Sequence, residues 1–111
     1  MAVYSDISID QGSDFSAEIV VNDSTGTVAN LTGYTAAGQI RKTYTSSTFT
    51  AFGATVTNAT KGVLTITLSN TVTNAMKAGR YVYDVEITKT SNVEKTRVVE
   101  GQLTVNPGVT Q

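Results

Sequence analysis

Two carboxylates, Asp84 and Glu86, stand two residues apart in a stretch of strict apolar–polar alternation, and a β-strand carries such a pair on one face. Paired carboxylates are the machinery of glycoside hydrolysis, in which one donates a proton and the other serves as nucleophile or base. Thr88 shares that face, and basic residues of neighbouring strands can reach it, so a cross-paired, solvated surface accounts for the same two acids without catalysis. Asp6, Asp10 and Asp14 recur near the start and offer the oxygen ligands that calcium takes. Their spacing is not that of an EF-hand loop, and acids that form turns explain them better. The remaining inventory is thin: the 111 residues include no cysteine and no histidine. Disulfides, thiol nucleophiles and thiolate metal sites are thereby excluded, as are the usual general base near neutral pH and every histidine-containing triad. The expectation is a protein that is not an enzyme, with no catalytic residue, no cofactor and no metal.

Binding is the better prospect. Thr43 to Gly53 (TYTSSTFTAFG) has no clean period, is rich in Ser and Thr, and reads as a loop with a short strand at most. It carries Tyr44, Phe49 and Phe52, more aromatic surface than a free loop needs. Exposed aromatics anchor protein interfaces, so these three are the candidate interface residues, weighed against the plainer reading that they fold back over an edge of the domain. Residues 1–5 and 106–111 are a second candidate, as extended arms able to add a strand to a neighbour's sheet, with frayed termini as the default. Nucleic acid is not expected, because the eight basic residues are scattered and the net charge is −1. Neither a basic, apolar leader nor a stretch of about 20 apolar residues occurs, so no signal peptide and no membrane contact are expected.

The elements that would position these residues are strands. Hydrophobic residues make up 40% and charged residues 15% of the chain, and its twenty threonines are β-branched and suited to a pleated, half-buried surface. Alternation with period two recurs in short runs separated by turn clusters: Ile7 with Ile9, then Phe15, Ala17, Ile19 and Val21, then Leu64, Ile66 and Leu68. Gln39 and Arg41 share one face of the Tyr34 to Lys42 run while Ile40 takes the other, and the small residues there suggest close backbone approach. Tyr81, Tyr83, Val85 and Ile87 form one face of the clearest strand, and Val99, Leu103 and Val105 face inward from the last. Between Leu68 and Arg80 the pattern breaks. Ser69 or Asn70 can cap a short helix, Val72 and Met76 lie on one side of it, and Gly79 suits a left-handed end. One domain, 1–111, is predicted: an all-β, immunoglobulin-like β-sandwich of about seven strands with a short helical turn near residues 70–78. A helical turn, a glycine and Tyr-x-Tyr entering a strong strand also matches the tyrosine corner of such domains, with Tyr81 at the corner and Tyr83 where antibody domains place a cysteine. Both tyrosines filling core volume is the simpler alternative.

The string Leu31-Thr32-Gly33-Tyr34-Thr35-Ala36, followed by Gln39-Ile40-Arg41-Lys42, then Ala78-Gly79-Arg80-Tyr81-Val82-Tyr83-Asp84-Val85-Glu86 and Val99-Glu100-Gly101-Gln102-Leu103-Thr104-Val105, resembles a family of small phage and prophage proteins. The chain looks like the N-terminal domain of siphophage baseplate upper proteins and like small tail and virion proteins of marine tailed phages, over nearly its whole length. What the resemblance implies is a structural component of a bacteriophage virion, assembled in the host cytoplasm, bound to other virion proteins in multiple copies within a symmetric assembly. The multi-domain members continue beyond this point and this chain stops at Gln111. The expected role is therefore a tail, baseplate or neck adaptor or a capsid decoration subunit, not an adhesin arm. A carbohydrate-binding module that contacts host surface glycans is the alternative, although sugar platforms usually employ Trp and the chain has none.

Overall fold

A computed structural model describes residues 3–22, 26–91 and 94–108. In chain order the strands are β1 (Val3–Tyr4), β2 (Ile7–Asp10), β3 (Phe15–Val20), β4 (Tyr34–Arg41), β5 (Thr50–Ala51), β6 (Gly53–Asn58), β7 (Val63–Leu68), β8 (Gly79–Lys89) and β9 (Glu94–Asn106). A 3-10 turn at Ala59–Lys61 joins β6 to β7, and α1 (Asn70–Ala75) joins β7 to β8. One sheet runs β1-β9-β8-β4-β5, with β2 also on β9, and the other runs β3-β7-β6. Every pairing is antiparallel except those of β1 and β2 with β9, which are parallel. This is the immunoglobulin-like sandwich: β3, β7 and β6 take the places of strands B, E and D, and β4, β8 and β9 those of C, F and G. Two strands beyond the expected seven are the two-residue pieces β1 and β5, too short for alternation to show.

The core is built from the inward halves of the alternating runs. Leu64 and Ile66 of β7 meet Val85 of β8 and Leu103 of β9, all without solvent access. Phe52 stacks edge-on against Tyr83, with centroids 6.0 Å apart and an interplanar angle of 80°, and lies 6.4 Å from Phe15 of the facing sheet. Offset and edge-to-face aromatic pairs add to plain area burial, so these rings pin the two sheets together. Close approach at β4 is real: a Cβ on Gly38 would lie 2.8 Å from Phe52 Cδ2 and 3.1 Å from the Asp84 carbonyl oxygen. Thr27 to Leu31 forms no strand of its own. A single bridge joins Asn22 to Val28, and buried Leu31 closes that end of the core, its amide donating to Ala59 at 2.7 Å.

The helix is short and capped as expected, with the Ser69 hydroxyl accepting from the Val72 amide at 3.4 Å and Met76 buried. Its end is different. The chain leaves α1 through Met76 in an extended conformation, and Gly79, at φ +142°, instead opens β8. Three residues, Met76 to Ala78, separate the helix from the glycine. Among the described residues no helix is long and apolar enough to cross a membrane.

The described parts of both terminal segments are tied to the domain's own sheet. Val3 and Tyr4 pair with Val99 and Glu100, and the Ser5 amide donates to the Glu100 carbonyl at 2.8 Å. At the other end Asn106 belongs to β9 and its side chain donates to Ser8 Oγ at 2.8 Å. One edge of β1 and of β2 is thereby taken by β9, and β1 stands at the rim of its sheet. Residues 1, 2 and 109–111 lie outside the described set.

Candidate functional site

Phe52 does not belong to an exposed interface. It is 6% exposed, between Phe15 and Tyr83, because it occupies the inward position where the chain crosses from β5 to β6, its amide donating to Gly38 at 2.9 Å. Tyr44 and Phe49 are the opposite, 70% and 51% exposed on the connection from β4 to β5. Three aromatics in one polar segment thus divide by position, two toward solvent and one toward the core.

That connection is held in a defined shape. The Thr43 amide donates to Ser46 Oγ at 3.1 Å, and the Ser46 amide to the Thr43 carbonyl at 3.2 Å, closing a tight turn under Tyr44. Arg41, at the end of β4, ties the turn back to the sheet. Its guanidinium donates to the Ser46 carbonyl and to Gln39 Oε1, the latter at 2.9 Å, and covers the Phe49 ring at 5.1 Å. Arg41 is thereby held on two sides, and a charged, planar donor on a rigid strand becomes a wall for what lies beside it.

What lies beside it is a hollow of about 480 Å³ over the outer face of β4, β8 and β9. Its floor exists because Ala37 is small among long neighbours, and its rim is the Tyr44 to Ser46 turn. Register brings the polar residues together: Gln39 pairs with Asp84, which pairs with Glu100, and Ala37 pairs with Glu86, which pairs with Arg97. Arg97 lies 3.2 Å from Asp84 and 3.6 Å from Glu100. Asp84 and Glu86 share a face as the alternation requires, and a cation from the adjacent strand engages Asp84. This network is the cross-paired surface expected as the alternative to a catalytic pair. Alternation in the sequence places Gln39 with Arg41 and Asp84 with Glu86, but only strand register shows that the two pairs adjoin and that Arg97 and Glu100 join them.

The aspartates near the start do not converge on a cation position, and among the described residues no group of three carboxylates could hold a metal. Asp14 Oδ1 accepts from the Asn70 amide at 2.7 Å at the start of α1, Asp6 Oδ1 from the Gln102 amide at 3.1 Å, and Asp10 Oδ1 from the Asn106 side chain at 3.3 Å. Each acid ties down a different joint of the sandwich.

Tyr81 donates its hydroxyl to the Lys77 carbonyl at 2.7 Å, four residues upstream, the hydrogen bond of which a tyrosine corner consists. Lys42 Nζ lies over its ring at 4.8 Å. Tyr83 is buried and donates to the Ser5 carbonyl, which sits where a Cβ of Gly101 would be. Desolvation pushes the Tyr83 phenol above its ordinary value; the bond to Ser5 opposes this, and the charges of Asp6 and Tyr4 add to it. Tyr4, exposed beside Glu100, is raised as well, first by desolvation and then by Asp6, Tyr44 and Glu100.

No protein-family model matches the chain, and no curated protein matches its sequence. Solved structures with a similar course include InlP of Listeria monocytogenes, at 16% identity and a TM-score of 0.51, over 95% of this chain and 28% of that one. The NK cell receptor Nkp44 aligns at 12% identity and a TM-score of 0.46 over 96% of this chain and 99% of the receptor chain. A family 123 glycoside hydrolase from Clostridium perfringens aligns at 12% identity and a TM-score of 0.46 over 97% of this chain and 24% of the hydrolase. The chain spans less than a third of the InlP chain, and at this identity the likeness shows the fold alone. None of the three is a phage protein.

Proposed function

We propose that the chain is a non-enzymatic structural domain of a bacteriophage virion that binds other virion proteins, as a tail, baseplate or neck adaptor or as a capsid decoration subunit. The observation that carries the binding part is the buttressed turn that presents Tyr44, 70% exposed, beside Phe49, 51% exposed. A domain that fixes two aromatics in water through an arginine clamp holds them ready for a partner, since immobilising a contact beforehand lowers the entropy lost on binding. The virion setting rests on the resemblance of the Leu31 to Lys42, Ala78 to Glu86 and Val99 to Val105 strings to small phage proteins. The engagement of Asp84 by Arg97 supports the non-enzymatic reading.

Cryo-electron microscopy of purified particles, with this chain located and its copies counted, tests the proposal. Copies in the hundreds on the shell indicate decoration, and a ring at the tail tip or neck indicates an adaptor. Absence from the particle refutes it. A carbohydrate-binding module remains the second reading, favoured by the polar hollow under Tyr44.

A further inference from the structure

We infer that the hollow between Tyr44 and the outer face of β4, β8 and β9 captures an arginine side chain of a partner protein. The inference deepens the proposed function, since it rests on the partner being a protein and names the chemistry of its contact.

Charge balance comes first. Two carboxylates, Asp84 and Glu86, and two guanidinium groups, those of Arg41 and Arg97, line the hollow, and Glu100 adjoins Arg97. Arg97 divides itself between Asp84 and Glu100, and Arg41 is occupied by the Ser46 carbonyl and Gln39. Glu86, lining the hollow and only partly exposed, forms no ion pair with any described residue. A half-buried carboxylate without a cation gains more from a partner's charge than one in open water, because the local dielectric is lower.

Aromatic surface comes second. Tyr44 stands on the rim, and Tyr4, 63% exposed, stands on the same face beside Glu100, with Glu100 beside Asp84. The faces of these rings attract cations. Glu100 beside Tyr4, with Asp84 and Glu86 lining the hollow, disfavours further negative charge there. Phosphate and acidic chains are therefore poor occupants, whereas a guanidinium can form a bidentate pair with Glu86 and lie flat against Tyr44. The fold already uses that chemistry once, in Arg41 over Phe49. A volume of about 480 Å³ accepts one such side chain with its backbone left at the rim.

The test is an amide NMR titration of the full chain with a capped tri-arginine peptide at low ionic strength, with tri-glutamate and maltotriose as comparators. Expected shifts are confined to residues 37–46, 84–86 and 97. Glu86→Gln and Tyr44→Ala each weaken binding by about two- to fivefold, the worth of one exposed charge pair or cation–π contact. Glu18→Gln, on the outer face of the opposite sheet, leaves it unchanged. Raising the salt must loosen the complex, because these charges are within reach of screening. Equal shifts with tri-glutamate, none with tri-arginine, or shifts with maltotriose alone would each overturn the inference, the last in favour of a neutral glycan. Particle microscopy decides the virion role separately, so a particle-bound domain that ignores tri-arginine would remove the arginine site and leave the structural role intact.

Discussion

Gly101→Ala is the substitution whose outcome is most tightly set by the geometry. Gly101 pairs with Tyr83 across β8 and β9, is buried, and faces the point where the chain between β1 and β2 bends in toward the core. A Cβ there would lie 2.7 Å from the Ser5 carbonyl carbon and nearer still to its oxygen. Both atoms are backbone, held by the Ser5 amide on Glu100 at 2.8 Å and by Asp6 on the Gln102 amide at 3.1 Å, so no side chain can simply swing aside. If the backbone at Gly101 were unhindered, alanine would stabilise by about 0.4–1 kcal/mol through the unfolded state, so even the sign of the change is informative. Overpacking of this kind costs about 1–3 kcal/mol. Pushing Ser5 away also strips the buried Tyr83 hydroxyl of its acceptor, which costs about 1–3 kcal/mol more. Together these come to a loss of about 2–6 kcal/mol, a fall in Tm on the order of 10–30 °C for a domain of this size. Urea unfolding measures the free energy, and amide exchange at Ser5 and Gln102 reports whether the segment has been displaced. A variant as stable as the wild type, with both amides still protected, would show that Ser5 does not pack against Gly101 and would refute the reasoning.

The other expectations concern single contacts. Tyr81→Phe removes the hydroxyl bond to Lys77 and keeps the ring under Lys42, so urea unfolding should show a loss of about 0.5–1.5 kcal/mol. Thr73, fully buried, donates to the Ser13 carbonyl at 2.8 Å; Thr73→Val should cost about 1–3 kcal/mol in calorimetry, and Thr73→Ser should recover most of it. Phe52→Ala should cost about 3–5 kcal/mol, whereas Phe49→Ala should stay within about 1 kcal/mol because that ring is half exposed and mainly covers Arg41. Tyr83 holds its proton more tightly when folded than when unfolded, where its value is about 10.0, so its contribution is complete below that pH and is lost as pH rises through the higher folded value. Alkaline unfolding followed by phenolate absorbance should therefore show a stability decline that Tyr83→Phe makes shallower.

The strands were legible wherever one face is buried and the other wet. β8 reads off Tyr81, Tyr83, Val85 and Ile87 because every second side chain enters the core, and β7 reads off Leu64, Ile66 and Leu68 for the same reason. Val98 and Val99 are both buried, because the register shifts between Val85 and Glu86 at that point, and no period can announce such a shift. Phe52 was misplaced because composition shows only that an aromatic lies in a polar segment. Its direction is decided by the crossing from β5 to β6 and by the space that Gly38 leaves open. Gly79 looked like the end of a helix because glycine tolerates positive φ, but a strand entrance draws on the same tolerance. At the candidate site, alternation gave the two polar pairs, while the hollow depends on long-range register and on the Arg41 clamp, neither of which leaves a local signal.

The parallel pairing of β1 and β2 with β9 has a mechanical consequence. It extends from Val3 opposite Val99 to Asp10 opposite Asn106, seven residue steps or about 23 Å of strand. Because the strands run the same way, the chain enters at one end of this seam and leaves at the other. Tension applied between the two ends therefore pulls β2 and β9 past each other along their lengths and loads the seam in shear. The ladder bonds and the Asn106 ties to Ser8 and Asp10 must then yield nearly together, whereas an antiparallel hairpin pulled from its open end would unzip one rung at a time. Resistance to force is a matter of unfolding rate and not of equilibrium stability. Under such a load, rupture is expected to begin at the seam between the first and last strands.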